Sequence, residues 1–183
     1  MSYSMPRAPF QVLVFPYMLA PDGTPTYAVF RRADLGVWQA VAGGGEVGET
    51  PEEAARREAW EEARVPPDAP LRRLAAVGQV PTTAFLDRAH WAPELIAIPE
   101  YSFAVAAAPE AVRCSAEHDL VEWLPYAAAR ERLHWASNRE ALAELHAALT
   151  GTETRTRRMR GRRPGHTTLL TGRTSAAADR PRD

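Results

Sequence analysis

The sequence predicts an α/β protein in which a mixed β-sheet lies between helices, and three observations carry that reading. Short apolar runs rich in Val, Leu, Phe and Tyr recur between turn-forming residues, as strands do. A strongly capped helix follows the first of these runs, and another with apolar residues at helical spacing ends near residue 149. Strands and helices interleaved in this way bury their apolar faces most readily as a sheet covered by helices.

Residues 1–8 read as a flexible leader. Gln11 to Tyr17 is a first strand, Pro21-Asp22-Gly23 supplies turn chemistry, and Tyr27 to Arg32 returns as a second strand. Trp38 to Ala42 is a short apolar run that leads into Gly43-Gly44-Gly45. Thr50 then opens the clearest helix. Thr50 is its N-cap, Pro51 occupies the first helical position, where a missing N–H does least harm, and Glu53 completes a capping box. The helix has to stop before Pro66-Pro67. Leu71 to Val80 reads as a strand, residues 81–99 as a loop, Tyr101 to Ala107 and Val121 to Leu124 as strands, and Tyr126 to Leu133 as a helix. Ser137-Asn138-Arg139-Glu140 looks like a second capping box, with Ser137 capping a helix that carries Leu142, Leu145, Ala148 and Leu149. From Thr150 onward bulky apolar residues become rare, and residues 150–183 are expected to form a disordered tail.

A chain of 183 residues, 45% of them hydrophobic, suits one domain with an ordinary core, here residues 9–149. Cys114 is the single cysteine, so no disulfide can close within the chain, and a reducing cytoplasmic setting is expected. The apolar run from Phe10 to Ala20 is broken by Pro16 and falls short of the roughly 20 residues a membrane span needs, so no membrane association is expected. Every basic residue is an arginine, and the charge is uneven. Residues 1–149 hold 13 arginines against 20 acids, whereas residues 150–183 hold 9 against 3. A basic tail can attract nucleic acid, but a solvated tail is the commoner explanation, and no nucleic-acid partner is expected.

The chemistry concentrates between Gly43 and Val65. Glu58, Glu61 and Glu62 stand at i, i+3 and i+4, on one helix face, with Glu49 just before the helix. Neighbouring like charges repel, and a bound cation removes the conflict. Carboxylates without Cys or His favour a hard ion such as Mg²⁺, with Mn²⁺ as the alternative. Glycines before the helix allow close backbone approach to a ligand.

The spacing of Gly43, Glu49, Arg57, Glu58, Glu61, Glu62 and Val65 resembles the Nudix box. Ala59 replaces a larger aliphatic residue of that box, and Arg64 replaces its late glycine, whose duty is to close the helix. The resemblance implies a Nudix-type α/β/α sandwich with a mixed sheet. It also implies hydrolysis of a phosphoric anhydride bond, with Glu58, Glu61, Glu62, Arg57 and Glu49 as the catalytic set and Glu58, Glu62 and Glu61 near the metal. Beyond the box, Arg31-Arg32-Ala33-Asp34, Val37-Trp38-Gln39, Ala116-Glu117-His118, Glu122-Trp123-Leu124 and Trp135-Ala136-Ser137-Asn138-Arg139 follow in an order similar to the dihydroneopterin triphosphate pyrophosphatase, or dATP pyrophosphohydrolase, branch. That likeness adds Glu117 as a metal ligand and Arg31, Ser137, Ala42 and Arg7 as substrate-contacting positions. Ala42 stands where that branch has a threonine. The expected partner is a nucleoside triphosphate or pterin triphosphate, and a homodimer is compatible with the family. Two other readings stay open: a nucleotide-sensing module that does not cut, and a hydrolase of another nucleoside diphosphate-X compound.

Overall fold

The computed structural model describes residues 6–85 and 88–151 of the 183. Seven strands form one mixed sheet: β1 (Arg7–Leu19), β2 (Pro25–Arg32), β3 (Trp38–Gln39), β4 (Val41–Glu46), β5 (Leu71–Pro81), β6 (Ala97–Ala106) and β7 (His118–Pro125). Among the described residues three α-helices accompany it: α1 (Pro51–Ala63), α2 (Tyr126–Arg132) and α3 (Ala136–Thr150). The expected α/β sandwich with a mixed sheet is therefore present. Pairing is antiparallel except between β1 and β6, which run parallel from Gln11 opposite Glu100 to Tyr17 opposite Ala106.

The sheet is split. β1 pairs with β2 only through Tyr17, Met18 and Leu19. Below that point β3 pairs with β2, and β4 pairs with β1 from Val14 down to Arg7. The chain crosses between the two strands at Ala40, whose N–H donates to buried Asn138 Oδ1 at 2.8 Å. β3 and β4 thus wedge β2 apart from β1, and Glu62 of α1 reaches both Ala42 of β4 and His118 of β7.

β1 is apolar on both faces because both are covered. Val12 and Val14 join Ala54, Ala55, Ala59 and Ala63 of α1 in one core. Leu13 and Phe15 join Ala129 of α2, Leu133 just after it, and Ala141, Leu142 and Leu145 of α3 in the other. Each fully buried Leu or Phe contributes roughly 1.5–3 kcal/mol. The small alanines on α1 let the helix lie close to the sheet and bring its glutamates to the strand edge.

The Thr50 capping box forms as expected, with both reciprocal hydrogen bonds present. Helix α1 ends at Arg64, which adopts φ 58° and ψ 24°. The arginine thus takes up the left-handed conformation that a glycine would provide, at a cost of about 1–2 kcal/mol.

Three expectations need correction. The strand β1 begins at Arg7, inside the stretch read as a leader, because Arg7 pairs opposite Glu46 of β4; residues 1–5 lie outside the described residues. The expected loop over 81–99 is shorter, since Pro81 still pairs with Ala97 and two 3-10 turns fill part of the interval. Ser137 does not cap α3. Trp135 holds the cap position without a side-chain hydrogen bond, and Ser137 lies within the first turn beside buried Glu100. A covered carboxylate needs a donor more than helix N–H groups that water can reach. Residues 152–183 of the basic tail are also outside the described residues.

Candidate active site

The site starts from α1. Its capped first turn fixes the rotation of the helix, which carries Glu58 and Glu62 inward, to 8% and 3% exposure. Glu61, between them in the sequence, remains exposed and bonds Arg57 at 3.1 Å. Among the described residues no three His, Cys, Asp or Glu side chains form a ready-made cation cage.

Arg57 organises the acidic face. Its Nε and Nη2 donate to the two oxygens of Glu49 at 2.8 and 2.9 Å. Its Nη1 donates to Glu58 Oε1 at 2.8 Å, and Nη2 also reaches the Gly44 carbonyl at 2.9 Å. These bonds hold the Glu49 carboxyl below its ordinary range. Glu49 also accepts from the Glu46 N–H at 2.8 Å, which folds the loop back toward the helix. Gly43 has a steric reason to lack a side chain, because a Cβ there would run into the Glu58 carboxylate.

Glu62 has a different environment. Its Oε2 accepts from the Ala42 N–H at 3.2 Å and lies 3.8 Å from His118 Nδ1. No arginine side chain pairs with it among the described residues. Burial first, then the charge of Glu58, push its pKa up to about 9, while the Ala42 N–H opposes the shift and Glu117 adds to it. Burial also raises Glu58, with Arg57 offsetting part of the effect. His118 is 3% exposed and burial lowers its pKa, which favours a neutral ring beside Glu62. Its Nδ1 is covered and lacks a hydrogen bond among the described residues.

Glu117 sits on the exposed turn before β7, close enough to Glu62 to influence its protonation. A cavity of about 230 Å³ opens beside it, lined by Arg32, Ala33, Asp34, Ala116 and Glu117. Arg31, expected to touch substrate, is tied to Asp119 by two hydrogen bonds of 2.8 and 2.7 Å. Ala42 contributes its backbone N–H to Glu62. Arg7 and Ser137 are connected through Gln11 and Glu100. Arg7 Nη2 donates to Gln11 Oε1 at 3.2 Å, Gln11 Nε2 donates to Glu100 Oε2 at 2.9 Å, and Ser137 lies beside the same carboxylate.

Residues 12–145 match the NUDIX domain family. The chain belongs to the Nudix family. A protein of Listeria monocytogenes strain 4b F2365 assigned to the NUDIX hydrolases is 34% identical, with a TM-score of 0.71, over 80% of this chain and 97% of that one. The dihydroneopterin triphosphate pyrophosphohydrolase of E. coli is 27% identical, with a TM-score of 0.59, over 76% of this chain and 95% of that one. An Ap4A hydrolase of C. elegans, 19% identical with a TM-score of 0.57 over 79% and 99%, shares the fold. A Myxococcus xanthus octanoyltransferase is 39% identical over 65% of this chain, but the match spans 31% of that protein's length. The Nudix assignment makes this protein an enzyme of the pyrophosphohydrolase type.

The structure adds Glu100, Gln11 and His118 to the residues near the site. Glu100 carried a weak sequence signal, as an acid two residues before Ser102 at the edge of an apolar run. Its partners lie 89 and 37 positions away, and only the parallel pairing of β1 with β6 brings Gln11 beside it.

Proposed function

We propose that this Nudix enzyme is a magnesium-dependent pyrophosphohydrolase. Its substrate is a nucleoside-triphosphate-like compound of the dATP or dihydroneopterin triphosphate type, cut to the monophosphate and pyrophosphate. The observation that carries the reading is Glu62: a carboxylate 3% exposed, beside a second buried carboxylate, with no arginine partner among the described residues. Such a group must either hold a proton or meet a cation. All-oxygen donors suit Mg²⁺, or Mn²⁺ in its place, and Mg²⁺ ordinarily needs few carboxylates because waters and substrate phosphates complete its shell. The residues therefore fit the ion. Glu58 and Glu62 would hold it, Glu117 would join from the facing turn, and Glu61 would support them from outside. When bound, the ion polarises phosphate oxygens and eases ionisation of a water.

The chain's own groups do the rest. Arg57 fixes Glu49 and Glu58 and anchors β4 at the Gly44 carbonyl. The Ala42 N–H orients Glu62. A carboxylate of the set accepts the proton of the attacking water as its oxygen bonds to phosphorus and the P–O bond to the leaving pyrophosphate breaks. Arg7, Ser137 and Ala42 border the substrate's path. Arg31 joins them by exchanging Asp119 for a phosphate. The likeness to the E. coli enzyme supports the substrate class. A nucleotide substrate, together with the lone cysteine, suits a cytoplasmic location.

The test is phosphorus NMR of reactions containing Mg²⁺ and dATP, dGTP, dihydroneopterin triphosphate, a nucleotide sugar or a dinucleoside polyphosphate. Monophosphate plus pyrophosphate from a triphosphate supports the proposal. Cleavage of only a nucleotide sugar or dinucleoside polyphosphate would replace the substrate class. Tight nucleotide binding with no product from any compound would establish a sensing module instead.

A further inference from the structure

The cavity beside Glu117 is walled by two turns. One joins β2 to β3 and brings Arg32, Ala33 and Asp34; the other precedes β7 and brings Ala116 and Glu117. The Ala33 N–H donates to the Glu117 carbonyl at 2.9 Å and ties the two walls together. The first turn is closed by the Arg32 N–H on the Val37 carbonyl and the Gly36 N–H on the Arg32 carbonyl, each at 2.9 Å. Gly36 takes a φ of 67° there, which glycine adopts without strain.

Arg32 stands next to the acidic site. It is the cross-strand partner of His118, and directly opposed residues of an antiparallel pair share a face of the sheet. On that face His118 Nδ1 is 3.8 Å from Glu62 Oε2. The Arg32 guanidinium accordingly feels the charges of both Glu117 and Glu62. Two other arginines here are committed elsewhere. Arg57 is enclosed by Glu49, Glu58 and the Gly44 carbonyl, and Arg31 is clamped on Asp119. Arg32 is the cation that lines the cavity, and Asp34 holds it there. Its Nε and Nη2 donate to the two Asp34 oxygens at 2.8 and 2.6 Å. The Asp34 side chain is 58% exposed, and an ion pair so open to water is weak and easily exchanged.

The volume of about 230 Å³ falls below the roughly 300–1,000 Å³ of pockets that enclose a whole drug-sized ligand. The cavity therefore suits one end of a nucleoside triphosphate. Its walls hold no aromatic ring to stack on a base, but they hold a guanidinium, whose planar fork matches phosphate oxygens two at a time. Glu117 belongs both to this cavity and to the acidic face, so a phosphate chain bound at the carboxylates continues into it. The ion that Glu117 helps to hold would neutralise that wall, and Asp34, once displaced, is free to turn to water. We infer that this cavity receives the terminal diphosphate of the substrate, the group that leaves as pyrophosphate, and that Arg32 grips it after exchanging Asp34 for phosphate oxygens. This rests on the pyrophosphohydrolase reading and adds to it the place of the leaving group. Asp34 is a positioning residue that keeps the guanidinium at the cavity wall until substrate arrives.

The experiment is isothermal titration calorimetry of inorganic pyrophosphate into the full chain with Mg²⁺, for the native protein, Arg32→Ala, Arg32→Lys and Asp34→Asn. The Kd should rise about 10–100-fold in Arg32→Ala. Arg32→Lys keeps the charge without the fork and should fall between the two. Asp34→Asn removes the competing anion and should bind pyrophosphate about two- to fivefold more tightly. A role confined to bracing the turn would make that variant bind more weakly instead. No binding by the native protein, an equal Kd in folded Arg32→Ala, or unchanged or weaker binding by Asp34→Asn would each overturn the inference. If Arg32→Ala does not melt cooperatively, Arg32→Lys and Asp34→Asn decide the matter. Failure of the pyrophosphohydrolase reading shows separately, as no product from any triphosphate by phosphorus NMR.

Discussion

Replacing Glu62 with glutamine should stabilise the metal-free protein at alkaline pH while abolishing turnover. The Glu62 carboxylate is 3% exposed. Its pKa rises from an ordinary 4.5 to about 9. Between those values the unfolded chain has released the proton that the folded chain keeps. The stabilising effect of that proton is therefore complete below about pH 4.5 and is lost as pH rises toward 9. At pH 8 the loss amounts to about 5 kcal/mol at most, from 1.36 kcal/mol per unit. The amide in Glu62→Gln does not titrate and still accepts from the Ala42 N–H. At about 2–4 °C per kcal/mol, the variant should melt up to about 10–20 °C above the native protein at pH 8 in EDTA, with the gap closing near pH 5. Saturating Mg²⁺ should raise the native melting temperature and move the variant little. The assay is differential scanning fluorimetry across pH, with and without Mg²⁺. Parallel melting curves for the two proteins at every pH would refute the argument, because Glu62 would then carry no buried charge conflict.

Three further outcomes follow from the same geometry. Gly43→Ala should reduce turnover at least about 100-fold when products are followed by phosphorus NMR, because its Cβ enters the space of the Glu58 carboxylate; near-native turnover would show that Glu58 can move without consequence. Arg64→Gly should raise stability by somewhat less than 1 kcal/mol in urea melts and leave kcat unchanged, since relief of the left-handed backbone exceeds the added chain entropy and the lost contact with Trp60. Truncation after Gly151 should retain kcat within about twofold and remove any salt-dependent retention on RNA, as expected if the arginine-rich tail lies outside the catalytic domain.

The sequence reveals most where one helix contains the whole signal. Thr50, Pro51 and Glu53 lie within one turn, and their capping chemistry places α1 without help from the rest of the chain. Rotation of that helix then puts Glu58 and Glu62 on one face, so the acidic pair is legible from spacing. Glu61 also lies near that face by spacing, yet Arg57 holds it toward solvent. That outcome depends on how close α1 sits to the sheet. The start of β1 was hidden because Arg7 and Pro9 look like loop residues, and the pairing that makes them a strand comes from Glu46 on β4. Ser137 carried a local capping pattern that a tertiary contact overrode. Glu100 shows the same limit, since its partners belong to strands and helices that only the fold brings together.

The central claim, that Glu58 and Glu62 hold a divalent cation, is tested most directly by binding. Mn²⁺ titrated into the full chain can be followed by electron paramagnetic resonance, beside Glu62→Gln and Glu58→Gln. The native protein should show a saturable site that weakens at least about tenfold in either variant and is displaced by Mg²⁺. Equal Mn²⁺ affinity in all three proteins would contradict it.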